Sequence, residues 1–222
     1  MGLNQPYGQI EELPNVLPIF PLSGALLLPR GQMPLNIFEP RYLQMCDDAL
    51  RGHRLLGMVQ PNEAAPLIRN EPAVHAVGCA GRITQFAESG DGRLLITLAG
   101  VCRFRIREEL TVTTPYRQCS VAFEEFACDL DANAGEADVD RDSVVRMLHA
   151  FAETNRVKLD WTEIEKAPNE ALVNALAMMS PFGTVEKQAL LEAETLKARA
   201  EVLVALAEMG FARGGGTSSV LQ

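Results

Sequence analysis

The stretch PLNIFEPRYLQMCDDALRG, residues 34–52, changes its hydrophobic period part-way along, and this change decides the local fold. Residues 34–38 have the length and apolar character of a short strand. From Pro40 onward the apolar residues are three and four positions apart, namely Tyr42, Met45, Cys46, Ala49 and Leu50. This spacing predicts a helix over residues 40–51, which starts with Pro40 as its first residue and ends at Gly52.

Short strands are predicted on both sides of this helix. Their segments are residues 15–22, 25–28, 55–59, 77–87, 93–107 and 116–126. Pro18 and Pro21 would confine the first segment to an edge or to irregular pairing, because proline has no N–H to donate. The turn Ser89-Gly90-Asp91-Gly92 joins segments 77–87 and 93–107 and is a strong hairpin signal. About six short strands and one helix predict a small, highly twisted sheet or a partly closed barrel.

The second half of the chain has helical periodicity. Apolar stripes with helical spacing are formed by Val144, Met147, Leu148 and Phe151, and by Leu172, Ala175, Leu176 and Met179. A short helix is expected at residues 161–166. Thr184 is predicted to cap one long further helix that continues to Gly210.

These patterns divide the chain into five segments. They are a flexible amino terminus (residues 1–12), a β-rich subdomain (13–127), an acidic linker (128–142), a helical subdomain (143–212) and a disordered tail (213–222). The linker is rich in acidic and small residues and is predicted to be solvated. We therefore expect an α+β fold in which a β-rich subdomain precedes a helical bundle.

Composition and charge disfavour several classes of function. The formal net charge is −9, which opposes binding to nucleic-acid phosphates. The apolar runs are too short to cross a bilayer and the first residues lack a secretory signal, so a cytoplasmic location is expected. The five cysteines and three histidines are scattered along the chain. This scatter predicts cysteines buried in the core, with neither a disulfide framework nor a metal site, and no cofactor is expected.

Two groups of residues are candidates for binding a peptide or a partner. The first group spans the strand end and helix start and consists of Phe38, Glu39, Arg41 and Tyr42. The second is a basic strand face formed by Arg103, Arg105 and Arg107, with Arg82 and Arg93 on the partner strand. In residues 102–107 arginines alternate with apolar residues, so one face should be basic and the other apolar. The basic face is either a solvated surface held by Glu88, Glu108 and Glu109, or a platform for an anion or a peptide backbone.

The residues of the first group have simple structural interpretations. A carboxylate at Glu39 would stabilise the positive end of the helix dipole and pair with an arginine such as Arg82. Phe38 and Tyr42 are expected to anchor the core or an interface. No pair of carboxylates has a context that suggests acid–base catalysis.

Several blocks of sequence occur in a fixed order along the chain: LPNVLPIFPLSGALLLPRGQMPLNIFEPRYLQMCDDAL, GCAGRITQF, DGRLLITLAGVCRFRI and YRQCSVAF. In this order they resemble the amino-terminal domain of Lon ATP-dependent proteases, and the similarity continues more loosely through SPFGTVEKQALLEA. The resemblance implies a PUA-like, β-rich pseudo-barrel followed by a helical bundle. It also implies a role in the capture of unfolded or tagged polypeptides and in support of a hexamer.

The resemblance favours a non-catalytic module that binds unfolded or partner polypeptides. The chain has no GxxxxGK[ST] loop for nucleotide phosphates. Ser180 and Lys187 flank a Pro-Phe-Gly break and nothing marks them as nucleophile and base. We therefore expect a stand-alone Lon-type domain without the ATPase and peptidase domains. Apolar residues near the junction of the two subdomains are expected to form a groove for unfolded segments. RNA binding through the PUA-like subdomain and a small-ligand pocket remain open alternatives, and the oligomeric state is undetermined.

Overall fold

The computed structural model describes residues 5–67, 71–132, 134–155 and 158–214. Within these ranges the strands are β1 (Val16–Pro21), β2 (Gln32–Ile37), β3 (Leu55–Val59), β4 (Val77–Glu88), β5 (Leu94–Glu109) and β6 (Gln118–Ala122). The α-helices are α1 (Pro40–Arg51), α2 (Arg141–Asn155), α3 (Trp161–Lys166), α4 (Asn169–Met179), α5 (Thr184–Glu192) and α6 (Leu196–Gly214). The predicted mixed fold, with a β-rich half before a helical half, is confirmed.

The sheet closes on itself because β5 is long enough to serve two sets of neighbours. The strand order is β2-β5-β4-β3-β1-β6, and β6 pairs again with β5. The first half of β5 pairs with β2, whereas its residues from Arg105 onward pair with β6, and this second pairing contains a register shift between Ile106 and Glu108. Such irregularities bend a strand, which closure requires. β2 therefore lies outside the closed ring as an edge strand, and the predicted partly closed barrel is present.

The prediction that Pro18 and Pro21 confine the first strand to an edge or to irregular pairing is confirmed in its second form, because β1 changes its partner part-way along. Residues 16–18 of β1 pair with β6, and residues 19–21 pair with β3. Each half of the strand thus has its partner on one side only. Pro18 and Pro21 are compatible with this arrangement because neither half has to donate hydrogen bonds on both sides.

The predicted strand at residues 25–28 is instead a buried loop. Leu26, Leu27 and Leu28 are 2%, 2% and 0% exposed, but they belong to no strand. The loop is held against β5 at Gly100, whose N–H donates to Gly31 O and whose carbonyl accepts from Arg30 N, both at 2.8 Å. Arg30 adopts a positive φ of 63° to make this turn. A short apolar run can fill the core as a strand or as a loop, so its periodicity alone does not distinguish these two conformations.

Helix α1 agrees with its prediction at both ends, but the long carboxy-terminal helix does not. Its predicted span divides into α5 and α6, and Thr195 Oγ1 caps α6 by accepting from Ala198 N at 3.1 Å. Gly183, not Thr184, occupies the position before α5. Gly210 lies inside α6, which continues to Gly214, and residues 215–222 of the predicted tail lie outside the described residues.

Buried apolar side chains from the barrel and from the helices form one continuous core. Part of the predicted flexible amino terminus also packs on the barrel, since the guanidinium of Arg82 lies 4.2 Å from the ring centre of Tyr7. Residues 1–4 of that segment are outside the described ranges. Among the described helices, none combines the length and the apolar character that crossing a bilayer requires.

The contact between Gly100 and the buried loop leaves no room for a side chain, which gives a direct test. A Cβ at Gly100 would lie 2.0 Å from Leu28 O, whereas a Cβ at Gly90, in the hairpin turn, would meet no atom within 4 Å. We expect Gly100→Ala to lower the free energy of unfolding by about 1–3 kcal/mol, because backbone must move to relieve the clash. Gly90→Ala is the control and should change it by less than about 0.5 kcal/mol. Urea unfolding measures both, and equal effects would contradict the packing described.

Candidate peptide-binding surface

The predicted site residues do not form one surface. Arg82 and Arg103 are buried, Tyr42 is in the core, and Phe38, Glu39, Arg41 and Arg105 are exposed or partly exposed in different places. The predicted basic strand face is wrong at Arg103, which is 2% exposed. Residues 103, 105 and 107 do share one face of β5. The helical half of the chain covers that face at Arg103 and leaves it open farther along.

Arg103 makes a two-point ion pair with Asp129 in the interior. Its Nε donates to Asp129 Oδ2 at 2.9 Å and its Nη2 donates to Asp129 Oδ1 at 2.8 Å. Asp129 Oδ2 also accepts from the backbone N–H of Arg103 at 2.9 Å. Asp129 is 7% exposed, so the prediction that the acidic segment is solvated fails at this residue. A buried charge of this kind is tolerated when it is paired and hydrogen-bonded.

The remaining nitrogen of Arg103, Nη1, bonds to backbone carbonyls at the carboxy-terminal end of helix α5. Nη1 donates to Leu191 O at 3.1 Å and to Ala193 O at 2.5 Å. Arg199 of α6 adds a bond from its Nε to Leu190 O at 3.0 Å. The last carbonyls of a helix have no partners within the helix. These two arginines supply them, and this explains why the predicted long helix stops and restarts at residues 193–195.

The two exposed arginines of β5 are occupied by acidic partners on the surface. Arg105 binds Glu125 through two bonds of 2.7 Å, and Arg107 donates to Glu124 at 3.2 Å. The Arg105 guanidinium lowers the pKa of the Glu125 carboxyl below its ordinary value. The expected partners Glu88, Glu108 and Glu109 are not the ones that hold these side chains. The pairing leaves little uncompensated positive charge on this strand for an anionic ligand.

Arg82 and Glu39 do not pair with each other as predicted. Arg82 Nη1 donates to Gln5 O at 2.6 Å, and its guanidinium stacks on Tyr7. Glu39 precedes α1 without bonding its backbone N–H groups and instead accepts from Arg41 Nε at 3.0 Å. Each side chain therefore bonds to residues near it and not to the other.

The two aromatic residues of the first predicted group differ in burial. Tyr42 is 8% exposed and packs against Phe20 with a ring-centre distance of 4.4 Å, so it is a core residue. Phe38 is 63% exposed and touches the Arg93 guanidinium at 5.9 Å from its ring centre. Of the two rings, only that of Phe38 remains available to a partner.

Three exposed apolar side chains, which we call the hairpin patch, lie at one end of the sheet: Phe38, Phe86 and Leu95. They are 63%, 56% and 48% exposed. Ile37 pairs with Leu94 and Leu94 pairs with Glu88, so these three residues form one row across the sheet. Every residue of the hairpin patch lies within two positions of this row along the chain. Leu95 and Phe86 point to opposite faces of the ribbon, because Phe86 is aligned with Ile96 and successive residues alternate. The patch therefore consists of exposed apolar side chains on both faces of one end of the sheet, and exposed apolar side chains grouped in this way are a mark of an interaction site. Of these three residues only Phe38 is predicted from the sequence, because alternation in a hairpin does not show which faces are covered.

The predicted groove at the junction of the two halves corresponds to a cleft of about 670 Å³. Its walls come from the turn that precedes β2 and from helix α4. The lining is mainly of small and apolar residues, including Pro29, Gly31, Pro168, Ala171 and Ala175. The cleft opens beside Gln32, at the opposite end of β2 from the hairpin patch.

Comparison with known proteins identifies the family. The family model described as the ATP-dependent protease La (LON) substrate-binding domain matches residues 16–208. The chain belongs to this family.

Full-length relatives extend well beyond this Lon-type domain. It is 25% identical over 198 residues to Lon protease 2 of Myxococcus xanthus, a match that covers 88% of this chain and 24% of that protein. It is 28% identical over 193 residues to Lon protease of Flavobacterium johnsoniae, with 86% and 23% coverage. It is 33% identical over 117 residues to Lon protease of Syntrophus aciditrophicus, with 51% and 15% coverage. The chain thus spans about a quarter or less of the length of these relatives.

Solved structures show the same fold. One is a Lon N-terminal domain protein from Xanthomonas campestris, with a TM-score of 0.60, 22% identity, and coverage of 86% of this chain and 97% of that one. Another is the N-terminal domain of a Mycobacterium avium complex Lon protease, with a TM-score of 0.64, 16% identity and coverage of 87% and 98%. The likeness extends over barrel and helices together.

The cysteines of this Lon-type domain are mostly core residues, as predicted, but Cys128 is exposed. Burial raises the pKa of Cys46 and of Cys119 to about 11, and that of Cys79 to about 12. Burial also raises the pKa of Cys102. No group of three or more histidine, cysteine or acidic side chains in the described residues is arranged to hold a metal ion.

The burial of the cysteines predicts one reactive thiol in the native protein. Ellman's reagent should titrate Cys128 alone at neutral pH, and all five thiols after denaturation. Raising the pH to about 9 should not bring in the other four, because their pKa values lie higher and their sulfurs are covered. Cys128→Ser should abolish the native reaction. Two or more fast thiols in the native wild type would contradict the burial described.

The buried ion pair predicts a large difference between Asp129 and a matched surface acid. Asp129→Asn should lower the free energy of unfolding by about 3–5 kcal/mol, since Arg103 would remain buried without its counter-charge. Glu125→Gln removes the partner of an exposed arginine and should cost about 1 kcal/mol or less. Urea unfolding with far-UV circular dichroism compares the two variants. Equal losses would show that the buried pair has no special role in stability.

Proposed function

We propose that this Lon-type domain binds exposed apolar segments of unfolded or partner polypeptides and that the hairpin patch contacts them. The observation that carries the proposal is the exposure of Phe38, Phe86 and Leu95 at one end of the sheet. The family description of a substrate-binding domain supports the same role. An unfolded chain differs from a folded one in the apolar side chains it exposes, and an exposed apolar surface is suited to recognise that difference.

The edge strand β2 supports an extended conformation for the bound segment. In the described part of the chain β2 pairs with β5 alone. Gly31 O accepts from Gly100 N, so the backbone N–H and C=O groups of the odd-numbered residues that follow point toward β5. The backbone groups of residues 32, 34 and 36 therefore point away from the sheet. An extended peptide can bond to such an edge while its side chains occupy neighbouring apolar surfaces. Pro34 faces outward and removes one donor, which limits pairing with other copies of β2.

We also propose that binding is not accompanied by catalysis. The family match lies within a substrate-binding domain. Ser180 Oγ donates to Leu176 O at 2.6 Å, and Lys187 Nζ donates to Gly24 O at 2.7 Å. Each side chain is engaged by backbone, and this supports the view that they do not act together as nucleophile and base. RNA binding loses its support because Arg103 is buried and Arg105 and Arg107 are paired.

Replacement of the hairpin patch tests the proposal. The variant Phe38→Ser, Phe86→Ser, Leu95→Ser should bind a carboxymethylated, permanently unfolded protein at least about tenfold more weakly than the wild type. Loss of about 1.4 kcal/mol of apolar contact is enough for that change. Fluorescence anisotropy of the labelled unfolded protein measures the dissociation constants.

A matched control uses apolar side chains that are exposed elsewhere. Met179 and Val185, on the helical half, are 82% and 76% exposed. Met179→Ser, Val185→Ser should leave the affinity within about twofold, because these residues lie outside the patch. If the control loses affinity and the patch variant keeps it, the binding surface is misassigned. If the wild type does not bind at all, the proposed function is wrong.

A further inference from the structure

A second cleft, of about 610 Å³, lies between the start of helix α1 and the loop that joins β5 to β6. We call it the tyrosine cleft, because Tyr42 and Tyr116 both line it. The register of β1 leaves room for it. β6 pairs with β1 only as far as Pro18, and Ile19 and Pro21, which lie beyond that pairing, line the cleft. The loop contributes the apolar side chains of Leu110, Val112 and Pro115.

The charged side chains of the tyrosine cleft neutralise one another. Arg117 makes a two-point ion pair with Glu109 and donates through Nη1 to Pro72 O at 2.9 Å. Arg41 donates through Nη1 to Glu71 Oε1 at 3.4 Å. The lining thus contains two arginines and two glutamates, and each arginine is paired. A charged ligand would find no unpaired counter-charge here, so the cleft favours an uncharged one.

The hydroxyl of Tyr42 is a polar group of this cleft without a partner in the protein. The ring packs on Phe20, and the residue is 8% exposed. No hydrogen bond joins the hydroxyl to another described residue. The hydroxyl is not fully buried, since the fully buried, unpartnered side-chain atoms of the described chain are Gln60 Oε1 and Arg199 Nη2. It is therefore open to the cleft that Tyr42 lines. Burial raises the pKa of Tyr42 above its ordinary value, so the hydroxyl keeps its proton and can donate.

Tyr116 lines the same cleft, but its hydroxyl is already bound. It donates to Asp48 Oδ2 at 2.8 Å, and Tyr116 is also 8% exposed. The two tyrosines are thus equally buried and differ in whether the hydroxyl has a partner within the protein. A polar group in such surroundings requires a partner, which for Tyr42 is water or a ligand.

The tyrosine cleft lies close to the hairpin patch along the chain. Three residues separate Phe38 of the patch from Tyr42, so their Cα atoms are at most about 14 Å apart. An extended segment of about five residues covers that distance. The side chains of Glu39 and Arg41 between them are partly exposed and paired with each other, so no unpaired charge separates the two surfaces.

We propose that the tyrosine cleft is a second contact for the polypeptide segment that the hairpin patch binds, and this inference rests on the proposed function. One apolar side chain of the segment enters the cleft, and the Tyr42 hydroxyl donates to a backbone carbonyl beside it. An unfolded segment offers both groups, and neither is charged, which matches the apolar and charge-balanced lining. Every residue has such a carbonyl, so this contact requires an apolar residue but no particular sequence around it.

Removal of a single hydroxyl tests the contact. Tyr42→Phe keeps the ring on Phe20 and removes only the oxygen. It should weaken binding of the carboxymethylated, unfolded protein by about threefold to tenfold, which is the effect of one neutral hydrogen bond. Tyr116→Phe is the matched control and should leave the affinity within about twofold, because that hydroxyl is bound to Asp48 within the protein. Fluorescence anisotropy of the labelled unfolded protein measures both.

Unfolding in urea distinguishes a hydroxyl that binds a ligand from one that holds the fold. Tyr42→Phe should leave the urea midpoint unchanged, whereas Tyr116→Phe should lower it, because only Tyr116 loses a hydrogen bond within the protein. A lowered midpoint together with unchanged affinity in Tyr42→Phe would assign that hydroxyl to the fold and overturn the proposal.

A second variant tests the apolar wall of the cleft. Val112 is 37% exposed on the loop, so Val112→Ser should fold normally. It should weaken binding by about twofold to fivefold, because a bound apolar side chain would lose part of its contact area. Val185→Ser removes the same side chain from outside both surfaces and should not change the affinity.

The outcomes separate this inference from the proposed function. If the wild type binds and the hairpin-patch variant loses affinity, while Tyr42→Phe and Val112→Ser bind as the wild type does, the tyrosine cleft is not a polypeptide contact and this inference is wrong. The proposed function would then stand. A wild type that binds no unfolded protein contradicts the proposed function and this inference together.

Discussion

The ion pair between Arg103 and Asp129 is the interaction on which the arrangement of the two halves depends. It joins strand β5 to the segment that leaves the barrel, and the same guanidinium reaches the last carbonyls of α5. A rigid, planar group with five donors can make all of these contacts at once, which a lysine at this position could not do. The end of the barrel and the start of the helical half are thus joined by one side chain, which also ends α5 together with Arg199.

Around this interior, some surfaces of the barrel are covered by other elements and some are exposed to solvent. Closure of β6 onto β5 covers the apolar interior of the ring. The β4–β5 hairpin and β2 extend beyond the ring, where the last residues of β4 are exposed on both faces. This Lon-type domain therefore has an arginine-centred interior and exposes apolar side chains on a projecting ribbon. The proposed binding through the ribbon would not require the interior to rearrange.

Several helices and strands could be predicted from local patterns in the sequence. Helix α1 begins at Pro40 and ends before Gly52 because the first turn of a helix accepts proline and because helices commonly end at glycine. The β4–β5 hairpin followed from a turn rich in glycine between two alternating segments. The family resemblance, carried by residues in a fixed order, supplied the joint presence of barrel and helices. These features depend on neighbours in sequence, or on a pattern shared across a family.

Other features depended on which surfaces meet in three dimensions. Residues 25–28 have the composition of a strand, yet they form a loop because Gly100 offers them a close backbone contact in place of a strand partner. The alternation in β5 correctly grouped Arg103, Arg105 and Arg107 on one face. It could not show that a distant helix end covers only the first of them.

The sequence by itself therefore determined the class of fold, the local elements and the family of this protein. The tertiary structure decided which charged and apolar side chains are buried and which remain available. Burial is a property of contacts between segments far apart in the chain, and local spacing does not encode those contacts. For that reason Arg103, predicted to lie on an exposed face, is a buried structural centre, and of the predicted binding residues Phe38 and Tyr42 only Phe38 is exposed.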